Sequence, residues 1–319
     1  MYRLFSYIAT NSYGMKVRIS LLACGRRVLT LFFGVVLVAL LTLSSYAQSS
    51  RNRGEAAKRV VWYEMKTPPL WETHEVKKGE ALSAGVFCPF SFSCASILKA
   101  AIPSSRDILL AGMAFPGTPS VGLVFNNFFI PQGVELYIYP PDYSDVRGPF
   151  TWKDMRSGDF FLPPFHSDSL VFELNGAVEK RSLLNLSLSE VLVMRTPLYG
   201  KFKLGFGHAE DCEINVNCSE GDDWEMQKKA VVRILLRKGD QAYWCTGSLV
   251  NNTREDYYPY LLTADHCGRG ASEYDLSQWV FYFNYAFPQC DNGEEEPAHQ
   301  TMVGCRHVAS SNDPSYRGS

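Results

Sequence analysis

The chain has 319 residues, 46% of them apolar and 13% aromatic, which suits a globular protein of about two domains. Its 31 lysines and arginines nearly balance 33 acidic residues, leaving a net charge of −2. That balance excludes a general nucleic-acid binder, which needs a basic face.

The first element in chain order is a leader. Lys16, Arg18, Arg26 and Arg27 form a positive flank, and residues 28–43 are almost wholly apolar. Ser45 and Ala47 put small residues at the −3 and −1 positions of a cleavage site. The pattern predicts a signal peptide over residues 1–47, with Met15 as an alternative start. The apolar run of 16 residues is shorter than the ~20 that a membrane-spanning helix prefers, so a membrane is touched only if the leader stays uncut. Secretion to the periplasm, cell surface or medium is therefore expected. Residues 48–75 read as a polar linker, with Pro68 and Pro69 inside it and a solvated basic stretch at Arg51, Arg53, Lys58 and Arg59.

Residues 76–205 read as all-β. Apolar side chains alternate at Val121, Leu123 and Phe125, at Val134, Leu136 and Ile138, and at Leu170, Phe172 and Leu174. Period-2 alternation marks half-buried strands. Turn residues separate them, as at Pro116–Gly117 and Pro131–Gln132–Gly133, and the spacing predicts a β-sandwich. A short helical turn is expected over residues 96–101. Residues 200–211 are rich in glycine and lysine and mark a boundary at about residue 205. Five further strands are expected beyond it, over residues 230–236, 244–250, 260–263, 280–285 and 301–309.

The chemistry concentrates in residues 206–319. Cys245 to Val250 reads as a strand, Cys-Thr-Gly-Ser-Leu-Val. Leu261 to Cys267 reads Leu-Leu-Thr-Ala-Asp-His-Cys and delivers His266 from a strand to a loop. A Cys245–Cys267 disulfide would staple the two strands and fix the imidazole, as a general base for a serine nucleophile requires. Secretion makes the cysteines disulfide candidates first. Cys24 leaves with the leader, and Cys88 and Cys94 close a short loop and are expected to bond to each other. Zinc is the competing use of Cys245, His266, Cys267 and Cys290, but no pair of Cys-x-x-Cys spacings supports it. No cofactor or metal is expected.

The two runs resemble the first barrel of chymotrypsin-like (trypsin-like) serine peptidases, and most closely bacterial lysyl endopeptidases, over residues 212–290. The resemblance implies a zymogen: a sandwich pro-region over residues 76–205, then the first antiparallel barrel of a double barrel over residues 206–319. It makes His266 the general base and pairs Cys218 with Cys290. It implies a polypeptide substrate cut after a basic residue, and makes Lys201 and Lys203 either processing sites or solvated linker lysines. Cys212 is then left over or pairs with Cys305.

The rest of a triad is not legible. No Gly-x-Ser-Gly-Gly type turn occurs in the chain, and Ser248 is structural by resemblance. Asp265 adjoins the base in sequence, but neighbours on an extended segment point to opposite faces. Asp313 precedes Pro314 rather than an apolar strand and reads as a turn residue. The expectation is a shortened chain, with the second barrel missing and no catalytic competence of its own. His166–Ser167–Asp168 holds three triad residue types but in one turn. Glu220, Asp222, Asp223 and Glu225 form an acidic cluster, read as solvated loop rather than a calcium site, and Asn185, Asn217 and Asn251 head glycosylation-type triplets. A different class of reading makes the sandwich a secreted binding or adhesion module, with aromatic loops such as residues 125–129 either as its surface or as core.

Overall fold

The structure is a computed structural model that describes residues 60–64, 82–93, 108–155, 158–176, 180, 183–194, 212–291 and 296–310. Near the N-terminus it also describes two short strands, β1 (Ile8–Thr10) and β2 (Lys16–Arg18), which pair antiparallel. The chain divides into two units, residues 1–58 and 59–319. The rest of the leader, most of the linker, the expected turn at 96–101, the 200–211 boundary and Asp313 lie outside the described residues. Among the described residues no helix is long and apolar enough to cross a membrane.

Unit two is mostly strand. In chain order it contains β3 (Val61–Glu64), β4 (Leu82–Ser93), β5 (Ile108–Ala114), β6 (Val121–Phe129), β7 (Val134–Tyr139), β8 (Arg147–Phe150), β9 (Phe160–Phe165), β10 (Ser169–Gly176) and β11 (Asn185–Met194). After residue 212 come α1 (Glu225–Ala230), β12 (Val231–Lys238), β13 (Gln241–Val250), β14 (Tyr260–Thr263), α2 (Asp265–Gly268), α3 (Glu273–Leu276), β15 (Val280–Phe283) and β16 (Gln300–Val303). One sheet runs β3-β5-β10-β7-β8. The other runs β16-β15-β12-β13-β4-β11-β6-β9, with β14 beside β13, and curls into a nearly closed barrel shape.

Local sequence explains the upstream elements. Pro116 and Gly117 turn the chain between β5 and β6: Thr118 N donates to Phe115 O at 3.2 Å, and Gly117 takes the positive φ of +80° that the third position of a type II turn requires. On β6 simple alternation would send Phe125 and Phe128 to opposite faces. A β-bulge at Asn126 absorbs one residue against β11, and both rings turn inward, edge to face at 5.1 Å. Of the two expectations for the aromatics of residues 125–129, surface or core, the core one holds for Phe125 and Phe128, which are buried, while Phe129 is half-exposed. The largest core joins both sheets, with Met113, Ile138 and Phe172 from one meeting Leu123, Leu186 and Val191 from the other.

The downstream strands do not close a barrel among themselves. β12 pairs with β13 on one side and β15 on the other, and β16 extends β15. The second edge of β13 is divided: β14 takes Gly247 to Val250, and β4 from the upstream half takes Gln241 to Trp244. A second core forms at this junction. Ala84, Phe87, Phe161 and Leu192 pack with Leu235, Ala242, Val280 and Tyr282.

Candidate active site

The candidate site is built on β13, β14 and the turn of α2. β14 lies antiparallel to β13, with Thr263 opposite Gly247 and Leu261 opposite Leu249. Gly247 makes this approach possible, because a Cβ there would meet Leu261 Cδ2 at 2.7 Å and Leu262 O at 3.0 Å. Beyond the ladder, Thr263 Oγ1 donates to Thr246 O at 2.8 Å and ties the end of β14 to the middle of β13. The chain then turns into α2, where Cys267 N donates to Ala264 O at 2.9 Å.

Cys267 is buried and bonded to Cys245 across a Cα separation of 6.3 Å. The bond rests on the third core, among Ile234, Leu236, Leu276, Trp279 and Phe281. Next to it His266 is exposed. Its backbone is pinned from a third direction: Lys238 Nζ, at the end of β12, donates to His266 O at 2.5 Å. Partial burial lowers the Lys238 ammonium pKa, with Arg269 adding to the fall and Asp265 opposing it. Asp265 is spent on Arg269, one turn along, through an ion pair. It therefore does not reach back to the imidazole. Among the described residues the His266 ring has no hydrogen-bond partner, and Ser248 lies on β13 opposite Leu262 and Val231.

The second disulfide joins Cys218, the residue before the 3-10 turn Ser219–Trp224, to Cys290 after β15. Asn217 Nδ2 donates to Phe287 O alongside it. Cys245–Cys267 and Cys218–Cys290 are thus both joined in the structure. The Cys88–Cys94 pairing is corrected: Cys88 is a free thiol in the middle of β4, and Cys94 lies outside the described residues. Burial raises the Cys88 thiol pKa. Cys212 and Cys305 are free as well, so neither completes the other.

The remaining candidates resolve as follows. Among the described residues one group, Cys245, His266 and Cys267, has the spacing to hold a metal ion. Both its sulfurs are committed to a disulfide, as is that of Cys290, so the thiolates a zinc site needs are not there. In the acidic cluster Glu225 pairs with Lys228 at 2.6 Å. His166 does not engage Ser167 and Asp168 as a triad. Its Nδ1 lies 3.2 Å from Oγ of the fully buried Ser120, while Asp168 accepts from Ser169 Oγ at 2.7 Å.

A buried disulfide that presents one exposed imidazole on a braced turn is an arrangement for holding a proton acceptor in place. Residues 206–316 match the family model described as lysyl endopeptidase, C-terminal domain. This part of the chain is thus similar to lysyl endopeptidases, and the matched residues include His266 and both disulfides. Sequence reading missed Lys238, Arg269 and Thr263 as supports of the turn. The Lys238 contact joins residues far apart in the chain, and no local pattern signals it.

Proposed function

We propose that the chain is the precursor of a secreted serine endopeptidase related to the lysyl endopeptidases, in which His266 is the general base. The observation that carries this is the position of His266 beside the Cys245–Cys267 bond, inside the matched residues 206–316. In acyl transfer a neutral imidazole takes the proton of a serine hydroxyl as the oxygen attacks the peptide carbonyl. It then returns that proton to the leaving amine. The scaffold built by β13, β14 and α2 supplies orientation for that step. The disulfide fixes one side of His266, and the Lys238 hydrogen bond fixes its carbonyl. A carboxylate on the second ring nitrogen and an activated serine complete the chemistry, in a two-barrel arrangement of the trypsin type. Residues 1–319 contain no nucleophile turn of the Gly-x-Ser-Gly-Gly kind. In this reading the 319-residue chain does not hydrolyse peptides by itself, and the polypeptide substrate is cut after lysine or another basic residue once the site is complete.

A fluorophosphonate probe tests both parts. The purified 319-residue chain is expected to remain unlabelled, and labelling would overturn the incompetence. Any form of the protein that carries a nucleophile turn is expected to be labelled and to lose labelling on His266→Ala. Retained labelling in that variant would remove His266 from the mechanism. Peptides with lysine, arginine or leucine at the cleaved position then report the specificity.

A further inference from the structure

The junction between the halves is built like a docking interface. β4 enters the edge of β13 antiparallel, with Val86 opposite Gln241 and Leu82 opposite Trp244. Phe87 N donates to Asp240 O at 2.7 Å, just beyond the ladder. The N-terminal end of β4 therefore reaches Trp244, the residue before the cysteine that anchors the His266 turn. β14 takes over the same edge three residues later, at Gly247. Between them the two strands cover the β13 edge on either side of Cys245.

A buried ion pair crosses the same junction. Arg237, at the end of β12, is 5% exposed. It forms a two-pronged pair with Glu190 of β11, Nη2 lying 2.8 Å from Oε1 and Nη1 bonding Oε2. The guanidinium also meets Gln278 Oε1 at 2.8 Å, Gly239 O at 2.7 Å and Asp275 Oδ1 at 3.4 Å. Its flat face lies 4.1 Å from the ring centre of Phe87 on β4. One downstream side chain thus grips two upstream strands, while its Nε and one Nη1 hydrogen are held from its own side.

We infer that the upstream sandwich is a strand donor to the His266-bearing half: β4 completes the β13 edge, Arg237 and Glu190 lock it there, and the two halves stay bound when the connection between them is cut. The partner of the matched region is thus a segment of the same chain, residues 82–86 with Glu190 behind them. The inference does not depend on catalysis, because it rests on strand pairing and a buried charge pair.

The test uses the full chain with a site-specific protease sequence inserted between Gly200 and Lys201, cut to completion as judged on a denaturing gel. Native mass spectrometry is expected to show one species containing both fragments, with the Phe87 amide still protected from hydrogen exchange. Two separate species, or free exchange at Phe87, would overturn the strand donation. Glu190→Gln, close to isosteric, is expected to speed dissociation of the cut complex by about ten-fold or more, because it leaves Arg237 buried and half-paired. Asp256→Asn breaks a surface pair with Arg254 and is expected to change nothing. Equal behaviour of the two variants would overturn the lock.

Discussion

At Gly247 a side chain has nowhere to go. The Leu261 Cδ2 contact could be relieved by a rotamer change, but the Leu262 carbonyl at 3.0 Å is backbone. Gly247→Ala is expected to destabilise the protein by about 1–3 kcal/mol, as overpacking usually does. An unchanged melting temperature in calorimetry would contradict this. A second residue-scale effect belongs to His166. Burial lowers its pKa below the usual imidazole value, while Glu296 and Asp142 pull it back up. The unfolded chain therefore takes up the proton first as pH falls. The stability from this group is full above the unfolded histidine pKa and is lost as pH drops through the folded one. His166→Gln is expected to flatten that part of the stability curve, and denaturant melts at pH 7 and pH 5 measure it. The site histidine and its two cysteines were legible because a short motif carries them. The Ser120 partner of His166 was not, since nothing in either residue's neighbourhood marks the other.

At the level of elements, the disulfide and the hairpin depend on each other. The Cys245–Cys267 bond closes a separation of 22 residues, which by chain entropy alone is worth about 3 kcal/mol. The double variant Cys245→Ala/Cys267→Ala is expected to lose about that much in urea unfolding. It also frees the His266 turn on one side, leaving the Lys238, Thr263 and Arg269 contacts as its ties. Faster proteolysis near residue 266 in the variant would report this, and an unchanged digestion pattern would count against the brace. The strands β12 to β15 were readable to within about three residues at their ends, because they carry β-branched and aromatic runs bounded by turns. β16 ends earlier than expected, at Val303, where Gly304 takes a φ of +87°. The short helices α1 to α3 escaped notice, being too brief for an apolar period to show. The Cys88–Cys94 expectation failed for a related reason. Close spacing suggested a loop, whereas β4 runs straight through Cys88.

For the whole molecule, stability turns on the junction between the halves. Arg237→Met leaves Glu190 mostly buried without its partner, and such a loss costs about 3–5 kcal/mol. Equilibrium unfolding in guanidinium checks it, and a loss under about 1 kcal/mol would mean that the pair contributes little. Nothing in the sequence announced this junction. Period-2 patterns tell which face of a strand is buried, but not which strand lies alongside, and Glu190 and Arg237 sit in separate halves. A boundary near residue 205 was drawn from composition, while the sheet runs across it from β4 to β13.

The shared edge of β13 also sets an order of events during synthesis. β4 leaves the ribosome long before β13 exists, so the backbone groups of residues 82–86 that face β13 must wait without a partner. An unpaired internal strand of this kind is a template for pairing with another chain. A polypeptide released at residue 205 is therefore expected to self-associate through β4. Static light scattering would show dimers or larger species, and Val86→Lys would restore the monomer. The second half thus shields the first from copies of itself once β13 is made.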